Sequence, residues 1–369
     1  MTKQKLQKKT DSILLGVVFA LLVFGLVVIS SAGVVVSKTK FGDEYYYFKH
    51  QLFFGVIPGL ICLFLVQKIR YTFWKKISFP LFISALVLLI LVFVPGVGIK
   101  LQGASRWINL GPISFQPTEM IKLTMIIYLG SWIAARGSKL KDFKEGLIPF
   151  AVILGIVALL VIAQPDVGTL GSIIVISLVM FFIAGAPLRY ILSLVGTGAA
   201  LLVVLIKVEP YRMNRLLSFM NPDLDLQGIG YQINQALIAI GSGGIFGLGL
   251  GQSRQKFNYL PEPIGDSIFA IVGEELGIIG AGTLLILFML FAMRGFKIAK
   301  NAPDMFSSMV AVGVSSWVVF QALINIMAII GLIPLTGITL PFVSFGSTSL
   351  VFVLIGVGIL LNISKYSKI

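Results

Sequence analysis

The sequence contains one cysteine, Cys62, and one histidine, His50. A lone cysteine excludes an intramolecular disulfide and leaves the redox compartment unreadable. With one of each, no HExxH, Cys-x-x-Cys or Ser-His-Asp set can be assembled, and a His-rich metal site is excluded. Negative charge is also scarce, at 15 Asp and Glu against 29 Lys and Arg in 369 residues. Charged residues of both signs make up only 12% of the chain, and 57% of it is hydrophobic. A soluble protein of this length could not hide so much apolar surface, and the mean hydropathy of +0.99 places the chain among polytopic membrane proteins. Tandem repeats, low-complexity tracts and a separate soluble domain are absent too, so residues 1–369 read as one integral membrane domain.

What the chain does have is apolar runs of spanning length. Ten are present, at about 13–35, 47–67, 78–96, 117–135, 147–164, 168–186, 188–207, 267–293, 306–331 and 342–363. The first follows a basic stretch, Lys3 to Lys9, and is too long for a signal-peptide core, so it reads as a transmembrane helix. The expected fold is therefore an all-α bundle of ten transmembrane helices, with both termini on one side. Of the Lys and Arg residues, 18 fall on the loops of the terminal side, 10 on the opposite loops, and Lys122 within a helix. That bias puts both termini in the cytoplasm and accounts for the formal charge of +14 without nucleic acid as a partner. Two outer loops stand out. One runs from about Pro95 to Pro117. The other, between the seventh and eighth runs at about 208–266, is far longer and holds an amphipathic stretch, Ile229 to Ile240, suited to the membrane surface. Its Gly247-Leu-Gly-Leu-Gly251 segment lacks the Gly-Lys-Ser/Thr ending and βαβ context of a nucleotide-binding loop.

The long loop ends in Asn258-Tyr-Leu-Pro-Glu262-Pro-Ile-Gly-Asp266, continuing to Gly-Glu274-Glu275-Leu-Gly277. Four of the 15 carboxylates of the chain lie in this stretch. Asp266 reads either as a catalytic carboxylate at the outer surface or as the N-cap of the next helix. Glu274 and Glu275 point about 100° apart on a helix, so they are not expected to face the same partner, and one of them is expected to meet a basic group or a cavity. Glu119 and Lys122 share a face at i, i+3, as a structural ion pair or as the lining of a polar cavity. Asp166, in the turn Gln164-Pro-Asp166-Val-Gly-Thr169, reads as a cap or as part of a site. Asn325, Thr336, Thr339, Ser344, Ser347, Thr348 and Ser349 read as small polar residues that let helices pack closely.

Several stretches together resemble the SEDS family of bacterial membrane proteins, the FtsW/RodA group. They are Gly103-Ala-Ser-Arg106-Trp107-Ile, Gln116-Pro-Thr118-Glu119-Met-Ile-Lys122-Leu, and the Gln164 to Thr169 turn. Arg215 to Pro222 with Gly230-Tyr231-Gln232, Leu260 to Asp266, Gly273 to Gly277, and Pro334 to Gly346 complete the set, in family order along nearly the whole chain. The resemblance implies ten helices with both ends inside, in the bacterial cytoplasmic membrane. It implies a peptidoglycan glycosyltransferase that polymerises lipid II, working with a class B penicillin-binding protein and other division or elongation membrane proteins. The essential loop aspartate of the family falls on Asp266 and its loop glutamate on Glu262. The Arg-Trp pair falls on Arg106 and Trp107, and the helix-four acid and lysine on Glu119 and Lys122. Gly265 and Ser267 depart from the Thr and Phe usual in the family, as do Thr118 from Ser and Ser347 from Gly. The Tyr-Gln and Gly-Leu-Gly-Leu-Gly-Gln-Ser features lie nearer FtsW than RodA.

Chemistry then assigns roles. The 4-hydroxyl of one sugar attacks an anomeric carbon that carries pyrophosphate, with inversion. Asp266 would take the proton of the hydroxyl, or hold a divalent cation (Mg or Mn) that activates it. Arg106, Lys122, Arg212 and Arg215 are the outer-side cations available to the pyrophosphate. The competing reading is a lipid II flippase, which calls for alternating access and often inverted repeats. The outward bias of the polar cluster favours surface chemistry. A scaffold of the division or elongation machinery would tolerate loss of Asp266.

Overall fold

The computed structural model describes residues 9–101, 104–109, 111, 114–208, 210–221 and 228–367, with the side chains of 100, 101, 104, 210–212 and 229 outside the described set. Each of the ten apolar runs is occupied by a helix. These are α1 (Ser12–Ala32), α2 (Tyr46–Lys68), α3 (Ser78–Leu91), α4 (Pro117–Arg136), α5 (Phe143–Ala163), α6 (Val167–Ile183) and α7 (Leu188–Val208). Two helices of the long loop follow, α8 (Pro210–Met220) and α9 (Ile229–Gly243), and then α10 (Ile268–Lys300), α11 (Met305–Ile329) and α12 (Ser347–Ser364). By length and apolarity, 7 helices among the described residues can cross a membrane: α1, α2, α5, α7, α10, α11 and α12. The chain is thus a mostly helical, multi-pass membrane protein. Helices α3 and α6 are apolar but shorter, and α4 carries Glu119 and Lys122.

Burial sorts the bundle. In the apolar windows of α11 and α12, 72% and 78% of residues are buried, against 0% for α7. Helices α11 and α12 therefore form the centre, with α4, α6 and α10 packed on α11 and α2 on α12, while α7 stands at the rim. Local chemistry sets the ends. Asp11 accepts the Leu14 N–H to cap α1, and Asp304 with Ser307 forms a capping box on α11. Pro117 opens α4, where its missing N–H costs nothing.

Two features depart from a plain helical bundle. The loop between α3 and α4 folds as a small antiparallel sheet of β1 (Gly98–Leu101), β2 (Ala104–Asn109) and β3 (Ser114–Phe115), in the order β1-β2-β3. The all-α expectation missed it, because such short strands give no usable period. The second feature is a break in α10. Gly277 sits at φ 64°, ψ −161°, outside helical space. The carbonyls freed by the break are taken up by the glycine-rich loop. Leu248 and Gly249 donate N–H groups to Glu274 and Glu275 carbonyls, and the Gly244 and Ile245 carbonyls accept from Ile278 and Ile279. A Cβ on Gly277 would lie 2.4 Å from the Gly247 nitrogen and 2.5 Å from the Ile245 oxygen. Gly277→Ala is therefore expected to destabilise the fold by about 1–3 kcal/mol, read as a lower unfolding temperature in detergent.

Helix α9, amphipathic in pattern, packs one face on the bundle. Ile233, Ala236 and Ala239 are buried, and α9 crosses the first part of α10 so closely that a Cβ on Gly243 would overlap the Gly273 carbonyl.

Candidate functional site

Asp266 lies in the turn before α10, two residues ahead of its first helical residue. It is not the cap of that helix, since Ser267 holds the N-cap position and no side chain caps it. Four tethers fix the turn instead. Asn325 of α11 donates to the main-chain oxygen of Asp266 and to that of Ile338, both at 2.8 Å. Ser344 donates its hydroxyl to the Gly265 carbonyl at 2.7 Å, and the Phe345 N–H reaches the Ile264 carbonyl at 2.8 Å. Gly265 and Ser267 donate N–H groups back to the Glu262 carbonyl. Gln232 of α9 donates to the Asp266 carboxylate at 3.3 Å and to the Ser267 hydroxyl at 2.9 Å. Asn325 and Ser344 are thus more than close-packing residues. Their side chains carry the turn, which polarity within an apolar run could have signalled.

The carboxyl of Asp266 is half-buried. Burial and the neighbouring Glu262 carboxylate push its pKa up to about 6, against the opposing pull of its own backbone N–H, Arg215 and Gln232. Glu262 is exposed, in a left-handed backbone conformation at φ 48°, and its Oε2 lies 3.3 Å from where a Cβ on residue 265 would sit. The glycine that departs from the family pattern therefore leaves space against the Glu262 side chain. Arg215 of α8 faces the same turn and is anchored by donation to the Leu335 carbonyl at 3.2 Å. The structure so brings together Asp266, Glu262, Arg215 and Gln232. Arg212 lies on α8 as well, with its side chain outside the described residues.

Two other sets of expected residues have partners of their own. Arg106 donates from Nε to the Gln164 carbonyl at 3.1 Å and from its guanidinium to the Pro165 carbonyl, so β2 is pinned to the turn before α6. Asp166 in that turn accepts the Thr169 N–H and caps α6. Trp107 is on β2 beside Arg106. Glu119 and Lys122 form a 2.8 Å ion pair deep in the bundle, with side chains 6% and 2% exposed. Lys122 also donates to Gln321 at 2.9 Å and lies over the Trp317 ring. Gln321 in turn donates to the Thr339 carbonyl at 2.9 Å, next to the Ile338 carbonyl held by Asn325. This geometry makes the pair an internal brace for the segment that supports Asp266. Its partners here are Glu119, Gln321 and the Trp317 ring.

The glutamate doublet is a correction. Glu274 accepts the Ser253 hydroxyl at 2.5 Å and the Arg254 N–H at 2.9 Å, while Glu275 accepts the Ser253 N–H at 3.3 Å. Both carboxylates therefore meet one residue, because the loop wraps the helix rather than facing one side of it. Lys256 closes the clamp on Glu275 at 2.9 Å, and Ser31 of α1 donates to the same carboxylate at 2.7 Å.

Among the described residues no three His, Cys, Asp or Glu side chains converge on a metal position. The Glu262 carboxylate acts electrostatically on Asp266, and carboxylate oxygens are the kind of donor that Mg²⁺ takes.

Residues 12–369 match the family described as cell cycle protein, FtsW/RodA/SpoVE. Stage V sporulation protein E of Bacillus subtilis is 43% identical over 98% of this chain and 99% of its own. A probable peptidoglycan glycosyltransferase FtsW of a Geobacter species is 38% identical over 96% of both chains. Among solved structures, a chain from a study of polymerization and crosslinking by a peptidoglycan synthase complex superposes with a TM-score of 0.82 at 26% identity, covering 97% of this chain and 98% of that one. The rod shape determining protein RodA of Thermus thermophilus superposes at 0.72 with 27% identity, covering 98% of each. With the family matched over residues 12–369 and nearly end-to-end coverage of its relatives, this chain belongs to the FtsW/RodA/SpoVE family.

Proposed function

We propose that this protein is a peptidoglycan glycosyltransferase that polymerises lipid II at the outer face of the bacterial cytoplasmic membrane, in division or sporulation. The observation that carries the reading is the Asp266 turn. A half-buried carboxyl sits in a turn tied down by Asn325 and Ser344, within electrostatic reach of the cation Arg215. In this reading Asp266 takes the proton of the acceptor 4-hydroxyl as the sugar–sugar bond forms, and the bond to pyrophosphate breaks. Arg215 neutralises charge developing on the leaving group, assisted by Arg212. Arg106 and Asp166 shape the outer rim, with Trp107 offering an aromatic face to a sugar. A divalent cation held by Asp266 and Glu262, when present, would add further charge neutralisation at the pyrophosphate.

Ten crossings with both termini in the cytoplasm fit this reading, since α3, α4 and α6 occupy the remaining apolar runs and the Lys and Arg bias sets the side. A class B penicillin-binding protein is the proposed partner, supplying the crosslinking step. The test is a glycan-chain gel with purified protein, lipid II and the candidate partner. Ladder formation that depends on Asp266 supports the proposal. Relocation of labelled lipid II across liposomes without polymer would support a flippase instead.

Glu262 has a separable signature. Its charge raises the Asp266 pKa, so Glu262→Gln is expected to move the acid limb of the pH–rate profile below pH 6. Polymerisation is also expected to slow, with the unfolding temperature unchanged. An unshifted acid limb would remove Glu262 from the site.

A further inference from the structure

The glycine-rich loop after α9 exposes a run of large apolar side chains. Ile245 is 60% exposed, Phe246 79% and Leu250 53%, with Leu248 beside them and Ile278 and Ile279 of α10 adjoining. Two side-chain contacts between α1 and α10 fix the depth of this patch. At one end Arg294 pairs with Asp11 at 2.5 Å, and at the other Ser31 meets Glu275 at 2.7 Å. Ser31 follows Asp11 by about 20 residues of helix, roughly 30 Å of rise, which is the thickness of a bilayer hydrocarbon core. Glu275 therefore marks the boundary of the hydrocarbon on the Asp266 side. Ile245 is bonded through its carbonyl to the Ile279 N–H, so it sits about one helical turn inside that boundary.

The backbone of the loop is suited to that depth. Irregular backbone is tolerated in hydrocarbon only when its polar groups are satisfied internally. Here the Gly247, Leu248 and Gly249 N–H groups donate to the Gly243, Glu274 and Glu275 carbonyls, and the Gly244 and Ile245 carbonyls accept from α10. Of the charges nearest the loop, Glu274, Glu275 and Lys256 are buried and bonded to one another or to Ser31 and Ser253, while Arg254, just past the loop, is exposed. No formal charge lies between Gly241 and Gly251.

We propose that residues 244–250 form a membrane-inserted wedge, with Ile245, Phe246, Leu248 and Leu250 among the acyl chains of the leaflet on the Asp266 side. The wedge continues through the Glu274–Ser253 and Glu275–Lys256 clamp into the loop that ends at Asp266. It fixes the height of the Asp266 turn relative to the membrane surface, where a lipid-borne headgroup resides. The wedge is a property of the fold and stands whether or not the polymerase reading does.

The lone cysteine makes the test direct. In a Cys62→Ala background, the full chain carries one new cysteine at Phe246, Leu250, Ile286 or Lys40, and is reconstituted without partner in phosphatidylethanolamine/phosphatidylglycerol nanodiscs. Ile286 is a lipid-facing reference on α10 and Lys40 an exposed one beyond α1. At 246 and 250 an environment-sensitive fluorophore is expected to be quenched by doxyl placed high on the acyl chain, near the boundary that Glu275 marks, while 286, deeper on α10, is quenched best by doxyl placed further down the chain. Reaction with a membrane-impermeant maleimide is expected to be more than tenfold slower there than at 40. Fast reaction without quenching would place the loop in water and overturn the proposal. Slow reaction without quenching would mean protein covers it, and would overturn it equally. Leu250→Cys provides the reading should Phe246→Cys fail to fold.

Discussion

Asp266→Asn is expected to slow lipid II polymerisation by about 10²–10⁴-fold, the usual worth of a positioned general base. The substitution keeps the side-chain volume and leaves the Asn325 and Ser344 tethers intact, because both reach main-chain oxygens. The turn should therefore keep its shape, and a glycan-chain gel read against the unfolding temperature separates chemistry from folding. The pH dependence has a definite sign. A base must be deprotonated, so wild-type rate should be flat above pH 6 and fall about tenfold per pH unit below it, as protonation proceeds through a pKa of about 6. Stability runs the other way. The folded pKa lies above the ordinary 3.8, so the turn is most stable with the carboxyl protonated. That stability is full below pH 3.8 and is lost as pH rises through about 6. Asp266→Asn, uncharged throughout, should then raise the unfolding temperature at pH 7.5 and have little effect at pH 3.5. A variant that polymerises at wild-type speed would end the catalytic assignment, whatever its stability.

Much of this site could be read from residues alone. The concentration of carboxylates between Glu262 and Glu275 flagged the stretch, and apolar runs located every long helix. What could not be read was which side chains hold the turn. Asn325 and Ser344 lie about sixty and eighty residues beyond Asp266, and only the docking of α11 and the loop before α12 brings them to it. The i, i+1 rule for Glu274 and Glu275 failed for a related reason. It treats the helix as facing flat neighbours, whereas the break at Gly277 lets a loop curl around the end and reach both carboxylates. The small sheet was hidden because strands as short as Ser114–Phe115 carry no period. Helix α9 has its buried face, Ile233, Ala236 and Ala239, packed in the bundle against α10, a partner its amphipathic pattern could not name.

The Glu119–Lys122 pair gives the second large effect, and it decides between bracing and binding. Lys122→Met removes the cation and leaves the Glu119 carboxylate only 5% exposed and unpaired. Stranding one member of a buried pair costs about 3–5 kcal/mol, so the unfolding temperature in detergent should fall sharply. The Glu119 Oε2 already accepts no hydrogen bond among the described residues, so no other donor stands ready to compensate. Replacing both charges, as Glu119→Gln with Lys122→Met, should recover most of the loss, because desolvation nearly cancels the attraction within a buried pair. Activity then separates the two roles. Gln321 keeps its Trp317 donor at 2.8 Å and its bond to the Thr339 carbonyl in the double variant, so the support under Asp266 persists. If bracing is the role of the pair, the double variant regains polymerisation along with stability, and only the single variant is crippled. If it regained stability while staying inactive, the ion pair would have to act on substrate directly, and the brace would be the wrong account of two charges held this deep in the bundle.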